Sequence, residues 1–282
     1  MEALGVNRYR FALAISSSAS PAAVGLFEQG GKRRWSHVET SHRTGEVLLA
    51  ATARAMKTEA FDVDIIFVDC GPGQFTGLRA GIGMAQGLAM GWNIPVLPLD
   101  SASVMAWAAK QSLQALKVAD GRQTDLPLLI TVRDARLGSC YLAEFFEIEA
   151  LPNLPRPLVR ELKYQQVVDL VAARLETLEA LFIVVDERSL SRLAQDTSIR
   201  SHDEHRLFCE VSSPAERLDS IAHLGFARLQ SSLRLDPGSQ AFRAVDTPLR
   251  TASAVEAYYV RNEVAMDLAA QRAHKRAQSH AG

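Results

Sequence analysis

The residues that most clearly suggest a binding or catalytic site form a glycine-rich stretch at 71–79, GPGQFTGLR. This stretch follows an apolar run and opens a helical pattern. A helix start offers unpaired N–H groups and the positive end of the helix dipole, so it can bind a phosphate or a carboxylate. The glycine spacing differs from the G-x-G-x-x-G of dinucleotide loops, and no Gly-Lys-Ser/Thr ending follows. Spacing alone leaves two interpretations open, an anion site and a tight turn that leads into a helix.

The histidines and cysteines form no recognisable metal or nucleophile set. No two histidines are four residues apart, although His202 and His205 lie together in a polar stretch. None of the three cysteines has zinc-ligand spacing. Cys70 precedes the glycine-rich stretch, where a helix start lowers the pKa of a thiol, but its place beside a buried strand favours a small core residue.

Other catalytic arrangements are equally absent from the sequence. There is no G-x-S-x-G elbow of a serine hydrolase. We interpret Asp134 and Arg136 as a salt bridge at a turn, and His42 as a helix-start residue. We therefore predict no catalytic residue, no metal and no cofactor, and negligible catalysis by the chain alone.

Composition excludes several broad classes. The chain has 282 residues, a net charge of −1 and a pI of about 6.7, which do not indicate a general nucleic-acid binder. Three cysteines are too few for a disulfide framework. Residues 1–10 lack a signal-peptide pattern, and no apolar run approaches the roughly 20 residues of a membrane span. We expect a cytoplasmic protein that does not contact membranes.

The elements that must position these residues alternate between strands and helices. The predicted strands are 11–15, 22–27, 35–40, 63–68, 94–97, 128–133, 140–148, 181–185 and 208–211. The predicted helices are 42–57, 76–91, 101–116 with Ser101 as its cap, 164–178, 189–195 and 214–233. Strand–helix–strand alternation indicates parallel strands joined by right-handed crossovers, so the sequence predicts a two-lobed α/β protein.

The helix at 76–91 carries two stripes. The stripe predicted to face a sheet is Leu78, Ile82, Ala85 and Ala89. The second stripe, rich in small residues, is Ala80, Gly83, Met84, Gly87 and Gly91. Because a mid-helix glycine costs roughly 1 kcal/mol relative to alanine, this stripe predicts the close approach of another helix. That helix belongs to a partner in one interpretation and to this chain's own first helix in the other.

The stretch at 71–79 resembles the signature of the TsaB (YeaZ) family, GPGSFTGLR, and differs from it only at Gln74. Weaker similarities in the same order are Ser41-His42, Asp134-Ala135-Arg136 with Tyr141, and Tyr259-Val260-Arg261. The motif residues are Gly71, Pro72, Gly73, Phe75, Thr76, Gly77, Arg79, Asp134 and Arg136.

This resemblance implies the two-lobed α/β fold of actin-like ATPases and sugar kinases, with ribonuclease-H-like mixed sheets and a degenerate nucleotide site. We expect an N-terminal lobe over 8–105, completed by the helix 214–233, and a C-terminal lobe over 106–212. An extended segment and basic tail follow over 234–282.

The resemblance also implies a function. TsaB proteins are non-catalytic partners of TsaD, the catalytic subunit that makes threonylcarbamoyladenosine in tRNA, and the ATPase TsaE joins that pair. We expect a four-helix contact with TsaD, contact with tRNA through the complex, and a possible homodimer when the chain is alone. The predicted interface residues are Leu48, Thr52, Ala80, Gly83, Met84, Gly87 and Gly91.

Two departures from the family pattern bear on the alternative, a stand-alone ATPase or glycoprotease-like hydrolase. The family's first strand ends in Asp-Thr-Ser, whereas this chain has Ser16-Ser17-Ser18. In ATPases of this fold that aspartate helps to hold the metal, so its absence favours the partner subunit. Ala257 also stands where the family usually has proline, which predicts a looser last segment.

Overall fold

Two mixed sheets, one in each half of the chain, carry the fold. The computed structural model describes residues 9–40, 44–59, 62–120, 128–178, 181–193, 213–234, 250–258 and 260. His42, His202, His205, the predicted strand 208–211 and the basic tail lie outside the described residues.

The first sheet has five strands. β1 (Phe11–Ser16), β2 (Ala22–Glu28) and β3 (Lys32–Glu39) form an antiparallel meander. β4 (Ile65–Asp69) and β5 (Val96–Leu99) run parallel to β1, so the spatial order is β3-β2-β1-β4-β5. The predicted hairpin and the buried strand before the glycine-rich stretch are therefore confirmed.

The second sheet repeats this meander. β6 (Leu129–Arg136), β7 (Ser139–Phe145) and β8 (Arg160–Lys163) are successively antiparallel. β9 (Phe182–Val185) then pairs parallel with β6, so the order is β8-β7-β6-β9. The predicted fold class is confirmed as α/β structure in two lobes, each built on a mixed sheet.

The helices cover both faces of each sheet. Within the described residues they are α1 (Thr44–Glu59), α2 (Phe75–Trp92), α3 (Ser101–Asp120), α4 (Tyr164–Thr177), α5 (Glu187–Leu193) and α6 (Pro214–Arg234). Successive side chains of a strand point to opposite faces. Leu13 and Ile15 of β1 accordingly pack with α1 and α2, while Ala12 and Ala14 pack with α6.

The helix α3 connects the two lobes. Its Val104 belongs to the core of the first sheet, whereas Ala106 and Ala109 pack against the second sheet. α4 and α5 cover the opposite face of the second sheet through residues such as Val167 and Leu193. The predicted domain boundaries themselves stay a prediction.

The cap of α3 differs from the prediction. The Ser103 N–H donates to Asp100 Oδ1 at 2.7 Å, so Asp100 caps the helix start. The Ser101 hydroxyl instead donates to Asp69 Oδ1 at 2.5 Å. The prediction of Ser101 as the cap was wrong because a buried carboxylate of β4 takes its hydroxyl.

None of the helices described by the structure is long and apolar enough to cross a membrane. Three short segments of the described residues were not predicted: the edge strand β8 and the 3-10 segments Ile148–Asn153 and Ala252–Ala254.

Candidate functional site

The glycine-rich loop joins β4 to α2 and lies directly against the β1–β2 turn. Gln74 N–H donates to the carbonyl oxygen of Ser18 at 2.7 Å. A Cβ added at Gly73 would overlap the Ser18 carbonyl oxygen, and one at Gly77 would overlap that of Ser17. These two glycines are therefore required by close backbone approach, which supports the tight-turn interpretation of the glycine spacing.

A cavity of about 310 Å³ lies beside this loop, and we call it the loop cavity. Loop and α2 residues from Pro72 to Leu78 form one wall, and Asp134, Arg136 and Tyr141 of the second lobe face them. Tyr258 and Val260 of the last described segment complete the lining. The structure thus gathers the main motif segments, which are far apart in sequence, around one cavity.

Asp134 belongs to β6, which corrects the prediction that it lies at a turn. The turn lies at Arg136, Leu137 and Gly138, all with positive φ, after a bulge in the β6–β7 pairing. Asp134 Oδ2 lies 4.0 Å from Arg136 Nε, and Asp134 Oδ1 accepts a hydrogen bond from the Tyr164 hydroxyl at 3.1 Å. Asp134 is thus held by its own lobe.

Arg79 has an aromatic neighbour. Its guanidinium carbon lies 3.7 Å from the centre of the Phe75 ring, one turn earlier on α2. A cation–π contact of this kind stabilises an exposed arginine by about 0.5–1 kcal/mol. This contact gives a reason within the chain for a cation near the positive end of the α2 dipole.

A buried polar network, which sequence reasoning missed, joins the two lobes. Arg133, inside β6, is only 7% exposed and donates to Ser18 Oγ at 2.9 Å and to the Pro72 carbonyl at 3.2 Å. The Ser18 hydroxyl in turn donates to Asp69 Oδ2. The signal in the sequence is the arginine that ends the apolar run of the predicted strand 128–133, since a charged residue is buried only when it is paired.

A second arginine covers Ser16. Arg217 of α6 places its Nε 3.4 Å from Ser16 Oγ and donates from Nη2 to the Pro21 carbonyl at 2.5 Å. Burial, and next the repulsion of Arg133, lower the pKa of Arg217 to about 10. Guanidinium groups therefore line the place where the family resemblance would put a metal-holding aspartate. Among the described residues, no group of three His, Cys, Asp or Glu side chains could hold a metal ion.

We expect Cys70 to be unreactive in the folded protein. Burial raises the pKa of its thiol to about 12, so at pH 8 its thiolate fraction is roughly a thousandfold below that of an ordinary cysteine. Site-resolved mass spectrometry after iodoacetamide treatment should find Cys70 unmodified in the native chain and modified in guanidinium chloride. Rapid native modification of Cys70 would contradict its assignment to the core.

The predicted interface residues fall into two groups. Leu48, Thr52 and Met84 are buried in the chain itself, and Thr52 donates its hydroxyl to the Leu48 carbonyl at 2.8 Å. They hold α1 and α2 on the first sheet and are not available to a partner, which corrects that part of the prediction. Ala80 is partly covered, since a Cβ at Gly45 of α1 would lie 3.7 Å from the Ala80 Cβ.

The remaining three, Gly83, Gly87 and Gly91, form an exposed stripe along α2, which we call the glycine stripe. A Cβ added at any of them would have no heavy atom of the described chain within 4 Å. The interpretation that they pack against α1 is therefore wrong. Met90, with 73% of its surface exposed, borders the glycine stripe, and Leu49 on α1 is 45% exposed.

Comparison with known protein families agrees with the motifs. Residues 37–162 match the family described as TsaD: tRNA N6-adenosine threonylcarbamoyltransferase. The tRNA threonylcarbamoyladenosine biosynthesis protein TsaB of Haemophilus influenzae is 30% identical over 47% of this chain and 52% of its own length. The protein of the same name from Escherichia coli is 29% identical over 47% of this chain and 54% of its own length. The chain thus spans about half the length of these curated relatives.

Two solved structures from Pseudomonas aeruginosa share the fold. One is described as YeaZ and has a TM-score of 0.58 at 19% identity, covering 89% of this chain and 99% of its own. The other is described as an uncharacterized protein with similarity to peptidase YEAZ, with a TM-score of 0.59 at 20% identity. It is covered over 100% of its length and matches 89% of this chain.

Proposed function

We propose that this chain, which belongs to the TsaB (YeaZ) family, is a non-catalytic subunit of the machinery that makes threonylcarbamoyladenosine in tRNA. In this proposal it binds TsaD through α1 and α2 and supports the transfer that TsaD catalyses. TsaE joins the pair, and tRNA meets the chain within the assembled complex. When TsaD is absent, two copies of the chain pair through the same helices.

The exposed glycine stripe is the observation that carries this proposal. Gly83 and Gly87 lie inside α2, where each costs about 1 kcal/mol relative to alanine, and no described part of the chain occupies the space above them. A helix backbone that is bare over two turns allows another helix to approach closely. Met90 of α2 and Leu49 of α1 add exposed apolar side chains to the two helices of the proposed interface. Packing within the described residues does not account for the stripe, and this supports a partner helix at that position.

The surroundings of Ser16 support a non-catalytic role over the alternative of an ATPase or hydrolase. A hydroxyl stands there in place of a carboxylate, and Arg217 contacts it. We expect the purified chain, with ATP and magnesium, to release no phosphate above a blank. Turnover that disappears in Ser16→Ala would contradict this expectation.

Co-purification with TsaD from the same cell tests the proposal. We expect the tagged chain to recover TsaD in equal amounts, and TsaE to join in the presence of ATP. Deleting the gene and restoring it should abolish and recover threonylcarbamoyladenosine in bulk tRNA. A folded chain that recovers no TsaD, in cells that make both proteins, would overturn the proposal.

A further inference from the structure

The segment 250–258, near the end of the described chain, contacts both lobes and the helix α2, and we call it the strap. The proposed function gives it no role. We propose that the strap couples α2 to the second lobe, so that a partner docked on α2 also holds the wall of the loop cavity in place. The partner in this inference rests on the proposed function, whereas the coupling within the chain does not.

The strap is attached to the first lobe at its beginning and in its middle. Arg250 and Val96 of β5 exchange two backbone hydrogen bonds, at 2.8 and 3.1 Å. Val255 is only 2% exposed and belongs to the core that α1 and α2 form on the first sheet. The Val255 carbonyl accepts a hydrogen bond from Gln86 Nε2 of α2 at 2.9 Å. The middle of the strap is therefore held directly by α2.

The end of the strap is held by both lobes through one residue, Tyr258. The Tyr258 N–H donates to the Cys70 carbonyl, just after β4, at 2.7 Å. The Tyr258 hydroxyl donates to the Pro157 carbonyl and accepts the Val159 N–H, each at 3.4 Å. The Tyr258 ring lies 4.7 Å from the guanidinium carbon of Arg156 and packs against the core of the second sheet. Tyr258 thus binds the first lobe through its backbone and the second lobe through its side chain.

The two anchors, Val255 and Tyr258, are close together along the strap. An extended chain spans at most 3.3–3.6 Å per residue, so three positions cover roughly 10 Å and leave little slack. Tyr258 also lines the loop cavity, opposite the glycine-rich loop and the β6–β7 hairpin. A shift of α2 is therefore passed through the strap to the wall of this cavity.

Docking of a partner on α2 would strengthen the anchor at Gln86. Gln86 is half-buried and directly precedes Gly87 of the exposed glycine stripe. At such a site water competes with the Val255 carbonyl for the Gln86 amide. A partner helix over the glycine stripe would exclude this water, and a hydrogen bond is stronger in a less polar environment. Docking would thus favour the attached strap, and by linkage the attached strap would favour docking by the same factor.

Hydrogen exchange at the Tyr258 and Val159 amides of the full chain, measured by mass spectrometry with residue resolution, tests the coupling. Gln86→Ala removes the anchor on α2 and leaves a good helix former in its place. We expect both amides to exchange about fivefold faster in this variant, as for the loss of one hydrogen bond. A role of Gln86 confined to α2 would leave Val159, in the other lobe, unaffected.

Gln165→Ala on α4 is the matched control. Gln165 is also a helical glutamine, but it is exposed and its amide donates to Asp169 of the same helix. This variant should leave exchange at both amides unchanged. A folded Gln86→Ala chain whose Val159 amide exchanges at the rate of the unmodified chain would overturn the proposal.

Addition of saturating TsaD supplies the second measurement. We expect TsaD to slow exchange at both amides of the unmodified chain, and to slow it less in Gln86→Ala. If TsaD binds and neither amide slows, docking does not act on the strap and the proposal is wrong. If TsaD does not bind, the proposed function fails, while the comparison of Gln86→Ala with Gln165→Ala in the free chain still decides the coupling.

Discussion

Gly77→Ala is expected to lower the free energy of unfolding by about 3 kcal/mol or to prevent folding. The added methyl group would overlap the carbonyl oxygen of Ser17. That oxygen belongs to the backbone, so no side-chain rotation can clear the overlap, and the loop and the β1–β2 turn must separate. Thermal unfolding should show a melting temperature roughly 6–12 °C lower.

Gly83→Ala, the same substitution two turns later on α2, is the matched control. Its methyl group would project into open space, and alanine is the better helix former. We expect this variant to gain about 1 kcal/mol of stability. Equal effects of the two substitutions would contradict the assignment of the two glycines to different environments.

This contrast marks a limit of what the sequence could predict. Helical spacing correctly assigned Leu78, Ile82, Ala85 and Ala89 to the sheet face, since all four are buried. It could not distinguish Gly77, which the β1–β2 turn contacts, from Gly83, which nothing described contacts. The difference depends on the backbone of Ser17, about 60 positions earlier in the chain. A local sequence pattern contains no information about such a contact.

Two other predictions failed for different reasons. We predicted that Met84 lies on the stripe of small residues that faces another helix, but its side chain is buried in the core of the first sheet. The edge strand β8 was missed because its residues are half-buried or exposed, so it lacks the apolar alternation of an interior strand.

The buried polar network that joins the two lobes was the feature that local sequence patterns could least predict. Arg133 and Ser18 are 115 positions apart, and their contact follows only once both sheets are assembled. By contrast, the β1–β2 hairpin and the strand before the loop depend on short apolar runs, and both were predicted. The fold class can be predicted from such runs. The neighbours of a buried charged side chain cannot, because they depend on how distant strands pack together.

Gly87→Leu is expected to abolish the recovery of TsaD while leaving the chain folded. Position 87 is exposed at the centre of the glycine stripe, and a Cβ there has no described heavy atom within 4 Å. Leucine also favours a helix more than glycine does. A partner helix that approaches the bare backbone would be held away by the new side chain. We expect an affinity loss of at least about a hundredfold, or roughly 3 kcal/mol.

The control for this variant is Ala173→Leu, which adds the same side chain to an exposed position on α4 of the second lobe. Circular dichroism and melting temperature should show that both proteins are folded, and only Gly87→Leu should lose TsaD. Gly87→Ala should be more stable than the unmodified chain and bind TsaD with an intermediate affinity, because one methyl group separates the helices less than an isobutyl group. A folded Gly87→Leu chain with unchanged affinity for TsaD would show that α2 does not form the interface.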